Sequence, residues 1–316
     1  MPDIVKVSGI QRGRFEILKE AVKESNLHGK RRIFIKPNLS HPEYVPGVVT
    51  NPALMYELVG LLRDNAEEVI VGESDGFNYP CGLAFEKTGM AAAVKKAGGT
   101  VINLSEDKVA KVKFKSDCGL KHLFLPKTLL DADAVVDVPL MKTHEFMAFS
   151  GAIKNLFGCV PDNKRIFLHP YLSEVFYQLY SILKPELTVL DATIALEGNG
   201  PTKGKPVKMN LMLTGNSALA TDIVATRIMG LDWKQINYLA YVVEKTNYSE
   251  ENLKISGVKI SEIVRNFERP KIDLAVQAQI RIYRSPMLTK VFFSSLDVVK
   301  IFQKITIAYR AGSNKN

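Results

Sequence analysis

The sequence predicts an α/β fold: a largely parallel or mixed sheet with flanking helices, followed by a basic C-terminal helical extension. Three observations predict it. Short apolar runs of strand length alternate with longer runs of helical spacing, the pattern of βαβ construction. Several of the apolar runs stop abruptly at charged or hydroxyl-bearing residues, which is where an open α/β sheet builds a site. The composition then changes near Arg269-Pro270, which divides the chain into an α/β domain over 1–269 and an extension over 270–316.

The elements follow in order. Residues 4–7 and 32–36 read as strands with a helix over 15–25 between them. Thr50-Asn51-Pro52 is a helix start, with Thr50 or Asn51 as cap and Pro52 in the first turn, for a helix running to about Arg63. Residues 68–72 (EVIVG) form a compact strand. A helix is expected over 85–97, closed by Gly98-Gly99, then a strand over 100–104 and an antiparallel or peripheral one over 121–125. Residues 134–140 (AVVDVPL) read as a buried strand ending at Pro139. A helix is expected from near Phe149, another over 172–183, strands over 186–191 and 208–213, and a helix over 219–229 that stops at Gly230. No internal repeat or low-complexity tract is present.

Bulk properties narrow the function classes. The 316 residues are 46% hydrophobic and 24% charged, ordinary for a globular protein. The three cysteines, Cys81, Cys118 and Cys159, are far apart and form no CxxC pair, which leaves no local zinc or cluster site and suits a reducing cytoplasm. The first residues lack the apolar core of a signal peptide. No G-x-G-x-x-G, Walker loop, G-x-S-x-G or HExxH occurs, which counts against the classical dinucleotide enzymes, P-loop ATPases, α/β-hydrolases and zincins.

Five groups of residues could carry chemistry. Lys36-Pro37-Asn38 closes a strand with a fixed cation suited to phosphate or carboxylate; the plain alternative is a surface lysine. In Gly72-Glu73-Ser74-Asp75-Gly76, Glu73 and Asp75 can share a cation, or one can act as a base; a solvated acidic turn is the alternative. Lys142-Thr143-His144 with Lys154-Asn155 offers two ammonium groups and an imidazole that can serve as base or ligand, with Gly151 opening a helix start to an anion. Asp191 with Glu197-Gly198-Asn199-Gly200-Pro201 suits a divalent cation through oxygens or a phosphate through N–H groups, and is equally a plain turn. Asp222 and Arg227 lie in a helix whose dipole favours an acid near its start. His169-Pro170 is a weaker cap or lid element.

This ordered set, Lys36-Pro37-Asn38, Gly72-Glu73-Ser74, Lys142-Thr143-His144, Lys154-Asn155-Leu156-Phe157-Gly158, Asp191, Gly198-Asn199-Gly200-Pro201 and Asp222, resembles the family known as domain of unknown function 362 over about residues 30–232. The resemblance implies a site without naming a reaction. Many members are described as iron–sulfur proteins because a cysteine-rich, ferredoxin-like segment is attached; the three cysteines here cannot supply it. A more distant similarity, to the lactate-racemase type of nickel-pincer protein, implies histidines and lysines around a bound cofactor or metal.

The expectation is therefore a site at strand C-terminal ends that binds a small anionic metabolite or cofactor. Lys36, Asn38, Thr143, Asn155 and Asn199 would hold the anion, His144, Lys142 and Lys154 would carry the chemistry, and Glu73, Asp75, Asp191 and Glu197 would hold a divalent metal. Proton transfer or isomerisation is the natural reaction class, as an isomerase, lyase or oxidoreductase. The alternatives are a non-catalytic cofactor- or metal-binding module and a redox protein. Residues 270–316 hold eight lysines and arginines against two acids, +6 of the net +9. Within 288–310 a stripe of Val291, Phe292, Leu296, Val299 and Phe302 suits packing on its own domain with lysines outward, packing in a homo-oligomer, or peripheral membrane contact. No aromatic-basic platform for nucleic acid is evident.

Overall fold

A computed structural model describes residues 2–161 and 165–294, with 298 and 304 as isolated positions. The chain runs β1 (Asp3–Gly9), α1 (Arg14–Glu24), β2 (Arg32–Lys36), α2 (Pro52–Arg63), β3 (Glu68–Glu73), α3 (Cys81–Lys87), α4 (Met90–Lys96) and β4 (Thr100–Asn103). It continues through β5 (Val109–Lys113), β6 (His122–Pro126), α5 (Lys127–Leu130), β7 (Ala134–Asp137), β8 (Leu140–His144), β9 (Ala148–Ser150) and α6 (Ala152–Asn155). Then come α7 (Leu172–Leu183), β10 (Leu187–Glu197), β11 (Lys205–Gly215), α8 (Ala218–Ile228), α9 (Asn237–Thr246), β12 (Leu253–Gly257), α10 (Ile260–Ile263), α11 (Leu274–Arg284) and α12 (Pro286–Phe293).

Among the described residues ten strands form one sheet in the order β12-β1-β11-β10-β7-β2-β3-β4, with β8 beside β10 and β9 beside β8. The run β10-β7-β2-β3-β4 is parallel, whereas β11 is antiparallel to both β1 and β10. Side chains alternate between the two faces. Ile33, Ile35, Val71 and Val136 pack with Leu18, Leu54 and Leu58 of α1 and α2. Phe34, Ile70 and Val135 pack on the other face with Leu156 and with Val175 and Leu179 of α7. Both faces are covered, as parallel sheets require. Asn51 caps α2, its Oδ1 accepting from the Ala53 N–H at 2.8 Å, while the Thr50 hydroxyl turns inward to the Val138 carbonyl at 3.1 Å.

The structure corrects several expected elements. The helix over 85–97 is two helices, α3 and α4, because Gly89 at φ 76° turns the backbone out of the right-handed region. The strand over 134–140 stops at Asp137 and resumes past Pro139 as β8. The first part of β10 thus pairs with β7 and a later part with β8. No helix starts at Phe149: residues 148–150 form β9, antiparallel to β8 with Lys142 opposite Ser150 and His144 opposite Ala148, and α6 begins at Ala152. The strand over 186–191 extends to Glu197 because β11 supplies a long antiparallel partner. Elements α9, β5 and β12 lacked a recognisable signal. The described part of the extension packs back on the body, with Tyr283 of α11 stacked at 4.5 Å from His169 and 5.6 Å from Phe146. In the predicted apolar stripe, Val291 and Phe292 are exposed; Leu296, Val299 and Phe302 lie outside the described residues.

Candidate functional site

Parallel register brings β2, β3 and β7 to a common edge. Lys36 and Asp137 are paired positions, and Glu73 closes β3 next door. Beyond that edge sits α6 with the 3-10 turn Leu156–Cys159. Lys36 is fully buried and its ammonium donates to the Glu73 carboxylate and, at 2.6 Å, to the Pro37 carbonyl. A Cβ on Gly158 would lie 2.2 Å from Glu73 Oε1 and 2.7 Å from Lys36 Nζ, so the bare backbone of that turn lets the ion pair form beneath it.

A second network braces the corner. Asn155 donates to Asp137 Oδ1 at 2.7 Å and to the Lys36 carbonyl at 3.3 Å, and accepts from Asn38 at 3.0 Å. The Lys142 ammonium donates to Asn38 Oδ1 at 2.8 Å, Ser40 Oγ at 3.1 Å and the Val48 carbonyl at 2.6 Å. Those three contacts use all the donors an ammonium has, so Lys142 ties β8 to the loop after β2. Burial holds its pKa well below the usual lysine range, with Lys154 adding to the shift. Burial likewise raises the Asp137 carboxyl well above its ordinary value, and its Oδ2 has no hydrogen-bond partner among the described residues, nor does the adjacent buried Ser74 Oγ.

Lys154 differs from the other cations. It is half-buried and makes no hydrogen bond or ion pair among the described residues. Burial, then Arg165 and Lys36, lower its pKa to about 8. Arg165 donates to the carbonyls of Asp75 and, at 3.3 Å, Val160, and lies over the Phe157 ring at 5.6 Å. The corner sets the positive groups Lys36, Lys154 and Arg165 close together: Glu73 pairs with Lys36, and Glu73 and Asp75 both act on Arg165, whereas no described carboxylate pairs with Lys154. Fixed, partly desolvated cations, one of them without a counter-charge among the described residues, form an anion-binding arrangement.

The remaining predicted residues are distributed elsewhere. His144 is buried and accepts from the Phe146 N–H at Nδ1, 3.1 Å away. With His169 it lines a separate cavity of about 560 Å3. Burial, with Lys154 and Arg165 adding, lowers the His169 pKa to about 4. Thr143 points to the opposite face from its neighbours, its hydroxyl on the Gly198 carbonyl at 2.8 Å. Asn199 accepts from the Lys271 N–H at 2.8 Å. The Asp222 carboxylate accepts from Ala152 N–H at 2.6 Å and Ile153 N–H at 2.9 Å, so it caps α6 from α8.

The four carboxylates expected to share a metal do not gather. Asp75 accepts from the Cys81 N–H at 2.8 Å and Asn103 at 3.2 Å. Asp191 has the parity of Val189 and faces α1, with Arg14 as its charged neighbour. Glu197 pairs with Arg265 at 3.2 Å. Among the described residues no three His, Cys, Asp or Glu side chains form a metal-holding group. The physical reason is that each carboxylate already has another partner: Lys36 for Glu73, the Cys81 N–H for Asp75, the Thr193 N–H for Asp191 and Arg265 for Glu197. An iron–sulfur cluster does not fit either: it takes about four thiolates, whereas Cys81 and Cys159 are buried apart from the exposed Cys118 and burial pushes both thiols up.

Sequence reading missed Arg165 and Asp137. Arg165 carried no local signal: it opens a 3-10 helix, Arg165–Tyr171, whose apolar pattern matches neither strand nor α-helix. Asp137 did: an acid inside the apolar run AVVDVPL must find a buried partner.

The family model described as Domain of unknown function (DUF362) matches residues 33–227. "Thylakoid-associated protein sll1697" of Synechocystis sp. is 29% identical over 210 residues, covering 64% of this chain. The chain spans 64% of that curated relative's length. The lactate racemase apoprotein of Thermoanaerobacterium thermosaccharolyticum is a similar solved structure, with a TM-score of 0.46 and 16% identity, over 70% of this chain and 56% of that one.

Proposed function

The chain belongs to the family described as Domain of unknown function (DUF362), and on that premise we propose that it binds a small anionic metabolite or cofactor at the corner where β2, β3 and β7 end. The observation that carries this reading is Lys154, a half-buried ammonium without a counter-ion among the described residues, set beside Arg165 and Lys36. A bound carboxylate or phosphate supplies the missing charge. With a pKa of about 8, Lys154 is also poised to give or take a proton near neutral pH, so proton transfer or isomerisation on the bound anion is the reaction class that suits it. The divalent metal expected beside it has no assembled donor set among the described residues, and no step here is routed through one. The relative's thylakoid association, together with Arg281, Arg284 and Lys290 beside the exposed Met287 and Val291, supports a peripheral contact with an anionic membrane.

Calorimetric titration of the chain with inorganic phosphate, pyrophosphate and small carboxylates tests the binding. The expected result is saturable one-to-one binding of at least one of these anions, lost in Lys154→Met. Binding unaltered by that substitution would overturn the reading. Deuterium uptake from D2O into a bound carboxylate, absent with Lys154→Met, separates an enzyme from a module that binds without turning over.

A further inference from the structure

We infer that the cavity between the body and the C-terminal helix α11 is a second binding site, for a single-chain amphipathic anion whose apolar body lies inside and whose charged head sits at the mouth. At about 560 Å3 the cavity falls within the roughly 300–1000 Å3 of small-molecule sites. It is distinct from the cationic corner, since neither Lys154 nor Arg165 lines it.

The walls set the ligand's chemistry. Met147, Leu172, Ile236 and Ile280 line the interior together with the rings of Phe146 and Tyr238, surfaces that favour an apolar chain or ring system. The charged groups are placed differently. Arg269 and Arg284 line the cavity yet are exposed, and neither has a hydrogen bond or ion pair among the described residues. They stand at its solvent side as two unpaired cations. Two acids also line it: Glu174 is buried and held by Gln178 at 2.8 Å and by the Tyr241 hydroxyl, and Glu145 likewise has a partner, so Arg269 and Arg284 are the charged groups left to meet an anionic head. An ordinary polar metabolite would leave the apolar walls unmatched, and an uncharged lipid would leave the arginines unused.

The lining also includes an exposed apolar side chain of the extension: Ile272 is 49% exposed, and Leu274, two residues further on, is 82% exposed. A surface of that kind next to an opening gives an amphipath a path from water or a lipid surface into the cavity without passing polar ground.

Displacement of a dansyl-labelled undecanoate probe from the full chain tests the inference. The expected result is one probe site per chain, displaced by decanoate, about fivefold less well by 1-decanol, and not by butyrate. Arg269→Gln with Arg284→Gln, both on the exposed rim, should weaken decanoate about fivefold while leaving 1-decanol unchanged. Ile280→Trp should fill the interior and abolish probe binding. Equal displacement by decanoate and 1-decanol, with the rim substitutions neutral, would overturn the inference, as would unchanged probe binding in a folded Ile280→Trp chain. Should Ile280→Trp fail to fold, the rim substitutions decide the matter.

Discussion

Lys36 and Glu73 show how much a single buried pair constrains this protein. Their side chains are 1% and 9% exposed, so each ion has given up water that only the other, the Pro37 carbonyl and the Ser74 N–H at 3.0 Å replace. Removing one partner leaves a buried charge unmatched, typically a loss of about 3–5 kcal/mol. We therefore expect Lys36→Met to lower the stability measured by urea unfolding by about that amount. Lys36→Met with Glu73→Leu should recover most of it, because the desolvation of both ions is then avoided. Anion binding should fail in both, since Lys36 is one of the three cations. The pH dependence at this scale belongs to Lys154. Its folded pKa of about 8 lies below the ordinary value of 10.5, so the free protein carries fewer protons than the unfolded chain between those values. Stability from this group rises with pH across that window. A bound anion favours the ammonium, so affinity should be constant below about pH 8 and fall above it, by up to about tenfold per pH unit. Titrations repeated from pH 6.5 to 9.5 check the sign.

At the scale of elements, α6 holds the corner in place although it has only four residues, Ala152–Asn155. So short a helix contributes little stability of its own. What fixes it is Asp222, reaching across from α8 to accept its first two N–H groups. Asp222→Ala leaves both donors buried without a partner and should cost about 2–6 kcal/mol, from about 1–3 kcal/mol for each buried unsatisfied group, read by urea unfolding. Hydrogen exchange at Ala152 and Ile153 should accelerate in the same variant. Burial raises the Asp222 pKa to about 7 from 3.8. The folded state thus holds an extra proton between those values, and this group's contribution to stability falls as pH rises through them. Gly158→Ala probes the same region from the other side: a Cβ 2.2 Å from Glu73 Oε1 must push the ion pair apart.

Elements were also where the sequence was most readable. The strands at 32–36, 68–72 and 100–104 and the helices at 52–63 and 172–183 were legible from their apolar periodicity, which at 52–63 agrees with the Asn51 cap and Pro52. The hairpin of β8 and β9 was not, because Phe149 and Ile153 have helical spacing while register with Lys142 and Thr143 decides otherwise. The cationic corner was legible in Lys36, Glu73, Lys154 and Asn155, which all sit where strands or helices end. Arg165 was hidden because the short 3-10 helix it opens, Arg165–Tyr171, has neither the strand nor the α-helix period. The carboxylates at Asp191 and Glu197 looked like metal ligands because spacing along a chain does not reveal which face of the sheet a residue takes.

For the molecule as a whole, a mixed sheet gathers cations at one edge while the described part of the basic extension folds back over the neighbouring cavity. The edge follows from topology, since parallel β2, β3 and β7 all end there, the location where open α/β sheets bind ligands. The positive balance of the chain, +9 overall, adds a field that favours anionic ligands at both places. Among the described residues no helix is long and apolar enough to cross a membrane, so any membrane contact proposed here is with the surface. The central claim is that Lys154, an ammonium without a counter-ion among the described residues, takes up an anion. Its most direct test is the Lys154 pKa, read from the lysine Cε and Hε resonances of isotopically labelled protein, assigned by Lys154→Met, with and without phosphate or the tightest-binding anion. The account predicts a value of about 8 in the free protein that rises when the anion binds. A value near 10.5, unmoved by any anion that binds the chain, would contradict it.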